Sequence, residues 1–162
     1  MEQQNKKETK INEIAEKMEK AEKISVSDLS IGDWVLDGND NPAQILAIEN
    51  WSDGHVLNVR IKDIGIGEVL ITRVRPIPIT QEILEKNGFV DNGKGQHYLK
   101  CGNGITVRVG RSPLFHDDCW LVATDKEVGE TITTTCVLFN AKHVNEIQRV
   151  MRLGNVGKEI EL

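Results

Sequence analysis

His97, Cys101, His116 and Cys119 form H-x3-C and H-x2-C pairs, the side-chain types that hold tetrahedral zinc. A structural zinc pair usually sits on a tight knuckle, whereas His97 and Cys101 flank an apparent strand and share a face only if its alternation stays regular. The spacing permits a site without specifying one. Read singly, Cys101 and Cys119 are small buried hydrophobes, and His97 and His116 belong to exposed loops. A cysteine nucleophile needs a base, and only His116 beside Cys119 or Asp117 could supply one, with no family signature around either cysteine. Asp117 and Asp118 could be imagined as a carboxylate pair on a metal, but neighbours on a strand point to opposite faces. His116-Asp117-Asp118 therefore reads as a solvated turn. Gly93-x-Gly95 and Gly102-x-Gly104 have no Lys-Ser/Thr after them and do not link a strand to a helix, so they read as hairpin tips and not as phosphate loops. These residues lead to the expectation of no catalytic residue, no metal and no cofactor.

One constellation points to binding instead. Arg60, Lys62, Arg73 and Arg75 fall in phase on two predicted strands, where they would form a basic stripe, with Trp34 and Trp51 as stacking surfaces. Phosphate contacts need clustered cations more than net positive charge. Against this stand a net charge of −5 and an aromatic content of 4%.

The elements that must carry these residues follow from periodicity. Residues 1–23 interleave Lys and Glu around Ile11, Ile14, Met18 and Ala21, a narrow helical stripe that predicts a charged N-terminal helix or tail. From Ile24 the texture changes to strand alternation. Strands are predicted near 32–37, 43–49, 55–62 and 68–74, separated by the turn clusters Asp37–Pro42, Trp51–Gly54 and Gly65–Gly67. Trp34, Ile45, Ile48, Leu57, Val59, Val69 and Ile71 are the expected core, with Arg60 and Arg73 outside. Four short strands at this spacing suit a small antiparallel barrel.

Pro76-Ile77-Pro78-Ile79 cannot sustain a ladder and predicts an extended connector at a domain boundary. Thr80 is a good N-cap for a helix over 81–87, stopped by Gly88, with Phe89 folding back on its apolar face. A meander follows through Tyr98–Lys100, Ile105–Val109, Cys119–Ala123 and Thr131–Cys136. Asn140 would cap a last helix to Leu153, stapled by Phe139 and Val144 and buried through Val144, Ile147, Val150 and Met151.

Ile31-Gly32-Asp33-Trp34-Val35, the Pro76-Ile77-Pro78-Ile79-Thr80-x-x-Ile83-Leu84-x-x-x-Gly88-Phe89 segment, and Val144-x-Glu146-Ile147-Gln148 before Lys158-Glu159-Ile160 resemble a group of uncharacterised bacterial proteins from phage and mobile-element regions. The resemblance spans about residues 28–162. It implies a fold and a genomic setting, with no assigned activity, and Asn145 stands where the group often carries His.

The chain has 162 residues, 39% hydrophobic and 28% charged, enough to bury a core without staples. No apolar run approaches the ~20 residues of a membrane span, and Met1 opens a polar stretch, so the expectation is a cytoplasmic protein without membrane attachment. Three cysteines without C-x-x-C argue against a disulfide framework. The fold expected is α+β: an SH3-like barrel over 24–76, then an antiparallel sheet with two helices over 77–162. The function expected is that of a non-enzymatic accessory or adaptor protein with an unidentified protein partner. The alternative is nucleic-acid binding through Arg60, Lys62, Arg73 and Arg75.

Overall fold

The computed structural model describes residues 24–52, 54–102, 104–111, 119–128 and 132–162, of which 128 and 132–138 are described by backbone alone. The expected helix or tail over 1–23 lies outside these residues. The protein is α+β, with two five-stranded antiparallel sheets, and the chain divides into two units, Met1–Pro76 and Ile77–Leu162.

In the first unit β1 (Trp34–Leu36), β2 (Pro42–Trp51), β3 (Gly54–Ile61), β4 (Gly65–Leu70) and β5 (Arg75–Pro76) form a curled half-barrel in the order β4-β3-β2-β1-β5. Its inner face is dictated by alternation. Val35, Ala43 and Ile61 lie in one cross-strand row, Ile45, Val59 and Gly67 in the next, and Ile48, Leu57 and Val69 in a third. Leu29, Val35, Ala43, Ile45, Leu57, Val59 and Val74 are buried there, and Ile24, Ile48, Ile61, Val69 and Ile71 pack around them.

Two sequence expectations change at this point. Trp34 is one residue out of phase with Val35, so it belongs to the outer row Trp34, Gln44, Arg60, Ile66 and is only half-buried. The fourth strand ends at Leu70, and Ile71–Arg73 forms a 3₁₀ turn. A β-bulge at Leu46 explains why Ile48, and not Ala47, returns to the inner face.

The second unit starts with α1 (Gln81–Lys86). The Thr80 hydroxyl accepts a hydrogen bond from the Ile83 backbone N–H at 3.3 Å. Gly88 ends the helix at φ 83°, a conformation that suits glycine, and buried Phe89 donates its N–H back to Leu84 O at 3.0 Å. The sheet is a meander of β6 (Val90–Asp91), β7 (Gln96–Lys100), β8 (Ile105–Arg111), β9 (Trp120–Val128) and β10 (Ile132–Ala141).

α2 (Val144–Leu153) packs against β9 and β10 and buries Val144, Ile147, Val150 and Met151. Its N-cap is His143 instead of Asn140, because the strand continues through Asn140 opposite Leu121 and Ala141 opposite Trp120. Phe139 is 41% exposed, so the expected staple does not form. Glu146 accepts instead from the backbone N–H groups of Lys142, at 2.7 Å, and His143, at 2.9 Å. At the other end Gly154 lies so close to β9 that a Cβ there would come within 2.6 Å of Thr124 Cγ2.

Candidate functional site

The residues with catalytic or metal-binding chemistry do not converge. His97 lies on β7, 3% exposed, where a loop position was expected. Its ring meets Trp120 edge to face at 5.9 Å, and the Arg111 guanidinium lies 4.1 Å above the Trp120 ring on the strand beside it. Neither His97 nitrogen has a hydrogen-bond partner among the described residues. His116, Asp117 and Asp118 lie outside the described residues. Cys101 and Cys119 are free thiols and half-buried. Burial pushes the Cys101 thiol up by more than the nearby Lys158 ammonium lowers it, which disfavours the reactive thiolate. Among the described residues no three His, Cys, Asp or Glu side chains are grouped to hold a metal ion. The two glycine pairs sit in hairpin tips, where the Asn92 side chain accepts from Lys94 N–H at 2.9 Å and Cys101 N–H pairs with Ile105 O at 2.8 Å.

The four predicted cations separate into three settings. Arg60, on β3, and Lys62, in the turn after it, border one hollow of about 420 Å³ with Trp34, Asp63 and Ile64. Arg75, on β5, is ion-paired with Asp40. Arg73, in the 3₁₀ turn, lines a different hollow. Arg60 and Arg73 are both exposed, yet the two-strand stripe of four is not formed, because the chain leaves β4 at Leu70 and re-enters the sheet at its opposite edge. Trp51 is also exposed, but its indole N–H donates to Glu49 at 3.1 Å, and it does not border the Arg60 hollow.

The larger hollow, about 670 Å³, belongs to the open seam of the half-barrel. Its walls are the Asp37–Asn39 turn and the 68–70 end of β4, with Ile61 and Arg73 between them. Asp37 is buried, and its carboxylate accepts from Asn39 N–H and Asn41 N–H, each at 2.8 Å, and from the Asn41 amide at 3.1 Å. That carboxylate fixes the turn and offers little to a ligand. Glu68 is exposed, and its side chain makes no hydrogen bond or ion pair with another described residue.

β4 bounds this seam as an edge strand, with β3 as its one neighbour among the described residues. Among the described residues, none of its members carries a backbone hydrogen bond beyond that ladder. Its outward row holds Ile66 at 74% exposure, Glu68, and Leu70 at 42%. The strand has no Pro and no Lys, the residues that most often blunt an edge. Sequence reasoning marked only 68–70 of β4 as strand, took Gly65–Gly67 as a turn, and missed the strand as a surface. The available signal was Gly-Ile-Gly-Glu-Val-Leu itself, an edge sequence with a single charge.

No family model matches the chain, and no match to it was found among curated proteins or solved structures.

Proposed function

We propose that this chain is a non-enzymatic accessory or adaptor protein whose first unit takes up an extended segment of a protein partner at the open edge of β4. The observation that carries this reading is the pairing of a six-residue edge strand with an adjoining hollow of about 670 Å³. Main-chain groups along an edge provide hydrogen bonds to an added strand, and pockets beside it take alternate side chains. The strand order, with a 3₁₀ turn before the closing strand, is in keeping with an SH3-like binding module. The resemblance to proteins of phage and mobile-element regions supports a setting of that kind.

The test is selection of extended ten-residue peptides against the whole chain, followed by mapping of amide shifts. Binders should perturb Gly65–Leu70 and the Asp37–Asn39 turn. Replacing both Ile66 and Leu70 with Lys should weaken them at least tenfold with little change in stability, since exposed substitutions usually shift it by less than ~0.5 kcal/mol. Binders that map elsewhere, or that keep their affinity for the double variant, contradict the reading.

Nucleic-acid binding remains a second reading because Arg60 and Lys62 share a hollow with Trp34 and neither is ion-paired with another described residue. It is weaker. Asp63 borders the same hollow, and Arg60, Lys62, Arg73 and Arg75 are the only Lys or Arg residues between Ile24 and Pro76, against twice as many carboxylates. Salt-sensitive retention on heparin that disappears in the Arg60→Glu, Lys62→Glu double variant would support it, whereas no retention at low salt would remove it.

A further inference from the structure

Every strand edge left open must be reconciled with the chain's own copies, because a second β4 is always at hand. Two β4 edges related by a dyad pair antiparallel, and facing residues must point to the same side of the sheet. Two registers give the longest overlap. One sets Glu68 against Glu68 of the second copy, two like charges face to face. The other sets Glu68 against Ile66 of the second copy and Gly67 against Gly67, which leaves a carboxylate on an apolar side chain and no side-chain contact at the centre. Both registers are poor for the same reason, the single exposed charge in the middle of the outward row Ile66, Glu68, Leu70.

A charge that disfavours the chain's own copy is also a selector. We infer that Glu68 sets the partner's chemistry: the β4 edge takes an extended segment with apolar side chains opposite Ile66 and Leu70 and a lysine or arginine opposite Glu68. This rests on the open-edge reading above. Charge complementarity favours that occupant, since among the described residues no cation is ion-paired with Glu68, and neither Asn58 nor the glycine and valine beside it in β4 can neutralise it. Asn58, its neighbour across the ladder, donates its amide to Glu49 at 2.6 Å. The intervening positions of the added strand would face the hollow floored by Ile61 and Val69, where β-branched side chains fit an extended backbone.

The probes are two capped heptapeptides that read the same in either direction, Thr-Val-Thr-Lys-Thr-Val-Thr and the same peptide with Glu at its centre, titrated into the whole chain. Wild type should prefer the lysine peptide by about fivefold, the scale of replacing a like-charge pair with an opposite one across a ladder. Glu68→Lys should invert the preference. In both titrations the amides of Gly65–Leu70 should shift. Equal affinity for the two peptides, or a preference that does not invert, with those amides still shifting, overturns the charge rule and leaves the open-edge reading standing. No shift along β4 at millimolar peptide overturns both.

Discussion

The two sheets have the same strand count and the same antiparallel pairing, yet they treat their edges and their polar groups differently. The sheet of the second unit has edges of two residues, β6, and of ten, β10, and α2 packs against β9 and β10. The second unit also keeps polar groups inside: His97, Thr124 and Asp125 on its strands and Asn145 and Gln148 on α2 are all buried. Arg108 answers Asp125 with a forked contact at 3.0 and 3.4 Å, and that hydrogen-bonded pairing, against the cost of burial, raises the Arg108 pKa. The first unit has an almost wholly apolar interior. Its two buried carboxylates, Asp33 and Asp37, are turned back on their own loops, where Asp33 accepts from Ser30 N–H at 2.8 Å. Among its described residues His55 Nδ1 is buried without a hydrogen-bond partner, and the outward row of β4 is exposed on the surface. The contrast is between a unit that buries polar side chains and one whose interior is mostly apolar and whose strand β4 is exposed along Ile66, Glu68 and Leu70.

The largest expected effect tests how far the open edge depends on the core behind it. Leu57 is fully buried in the row behind β4, and Leu57→Ala should cost roughly 2–5 kcal/mol in chemical denaturation and remove peptide binding with the fold. A loss below about 1 kcal/mol would mean that the half-barrel core is not what holds the edge in place.

Next comes the close approach in the second unit. Gly154→Ala would force its methyl against Thr124 and should cost about 1–3 kcal/mol, of which Thr124→Ala in the same chain should recover part. Additive losses in the double variant would show that the two positions do not meet.

Asn87 tests the same internal fit with polar atoms. Its side-chain amide donates to Ile83 O and Glu161 O, both at 2.9 Å, and its carbonyl oxygen accepts from Glu161 N–H at 2.7 Å. Asn87→Ala should therefore cost about 1–3 kcal/mol and free the C-terminal residues around buried Ile160. Unchanged amide protection near Ile160 would refute that tether.

The smallest effect is a pH dependence at the start of α2. Burial raises the Glu146 carboxyl, but hydrogen bonds from the His143 side chain and from the backbone of Lys142 and His143 outweigh it and leave the pKa below the usual glutamate value. A depressed folded pKa adds stability that is present above the unfolded-state value and is lost as pH falls through the folded one. Wild type should therefore lose stability on acidification by slightly more than Glu146→Gln does. Parallel curves for the two would contradict the cap.

Much of this architecture was legible from side-chain periodicity. The first three strands of the first unit, the Thr80 cap, the Gly88 stop and the meander all follow from local patterns that tertiary contacts reinforce, whereas the fourth strand starts at Gly65, inside the expected Gly65–Gly67 turn. The departures share a physical cause, since local pattern does not say where a strand stops or which phase it takes. Trp34-Val35-Leu36 is apolar at three successive positions, so alternation alone could not choose between Trp34 and Val35 for the interior. Val69-Leu70-Ile71-Thr72 reads as continuous strand, and only the crossing to β5 turns Ile71–Arg73 into a 3₁₀ turn, which breaks the basic stripe. Asn140 has the side chain of a cap, but pairing with Leu121 keeps it in β10. The candidate surface was hardest to read because an edge is defined by the strand that is not there, and strand order is not written in any single strand.

The central claim, that the first unit's β4 edge is where this protein binds, is tested most directly by residue-resolved amide hydrogen exchange of the whole chain with and without the lysine heptapeptide. The account predicts slowed exchange within Gly65–Leu70 and the Asp37–Asn39 turn, with Val90–Asp91 at the short edge of the other sheet unchanged. Slowing at β6, or around Arg60 and Lys62 without β4, would contradict it.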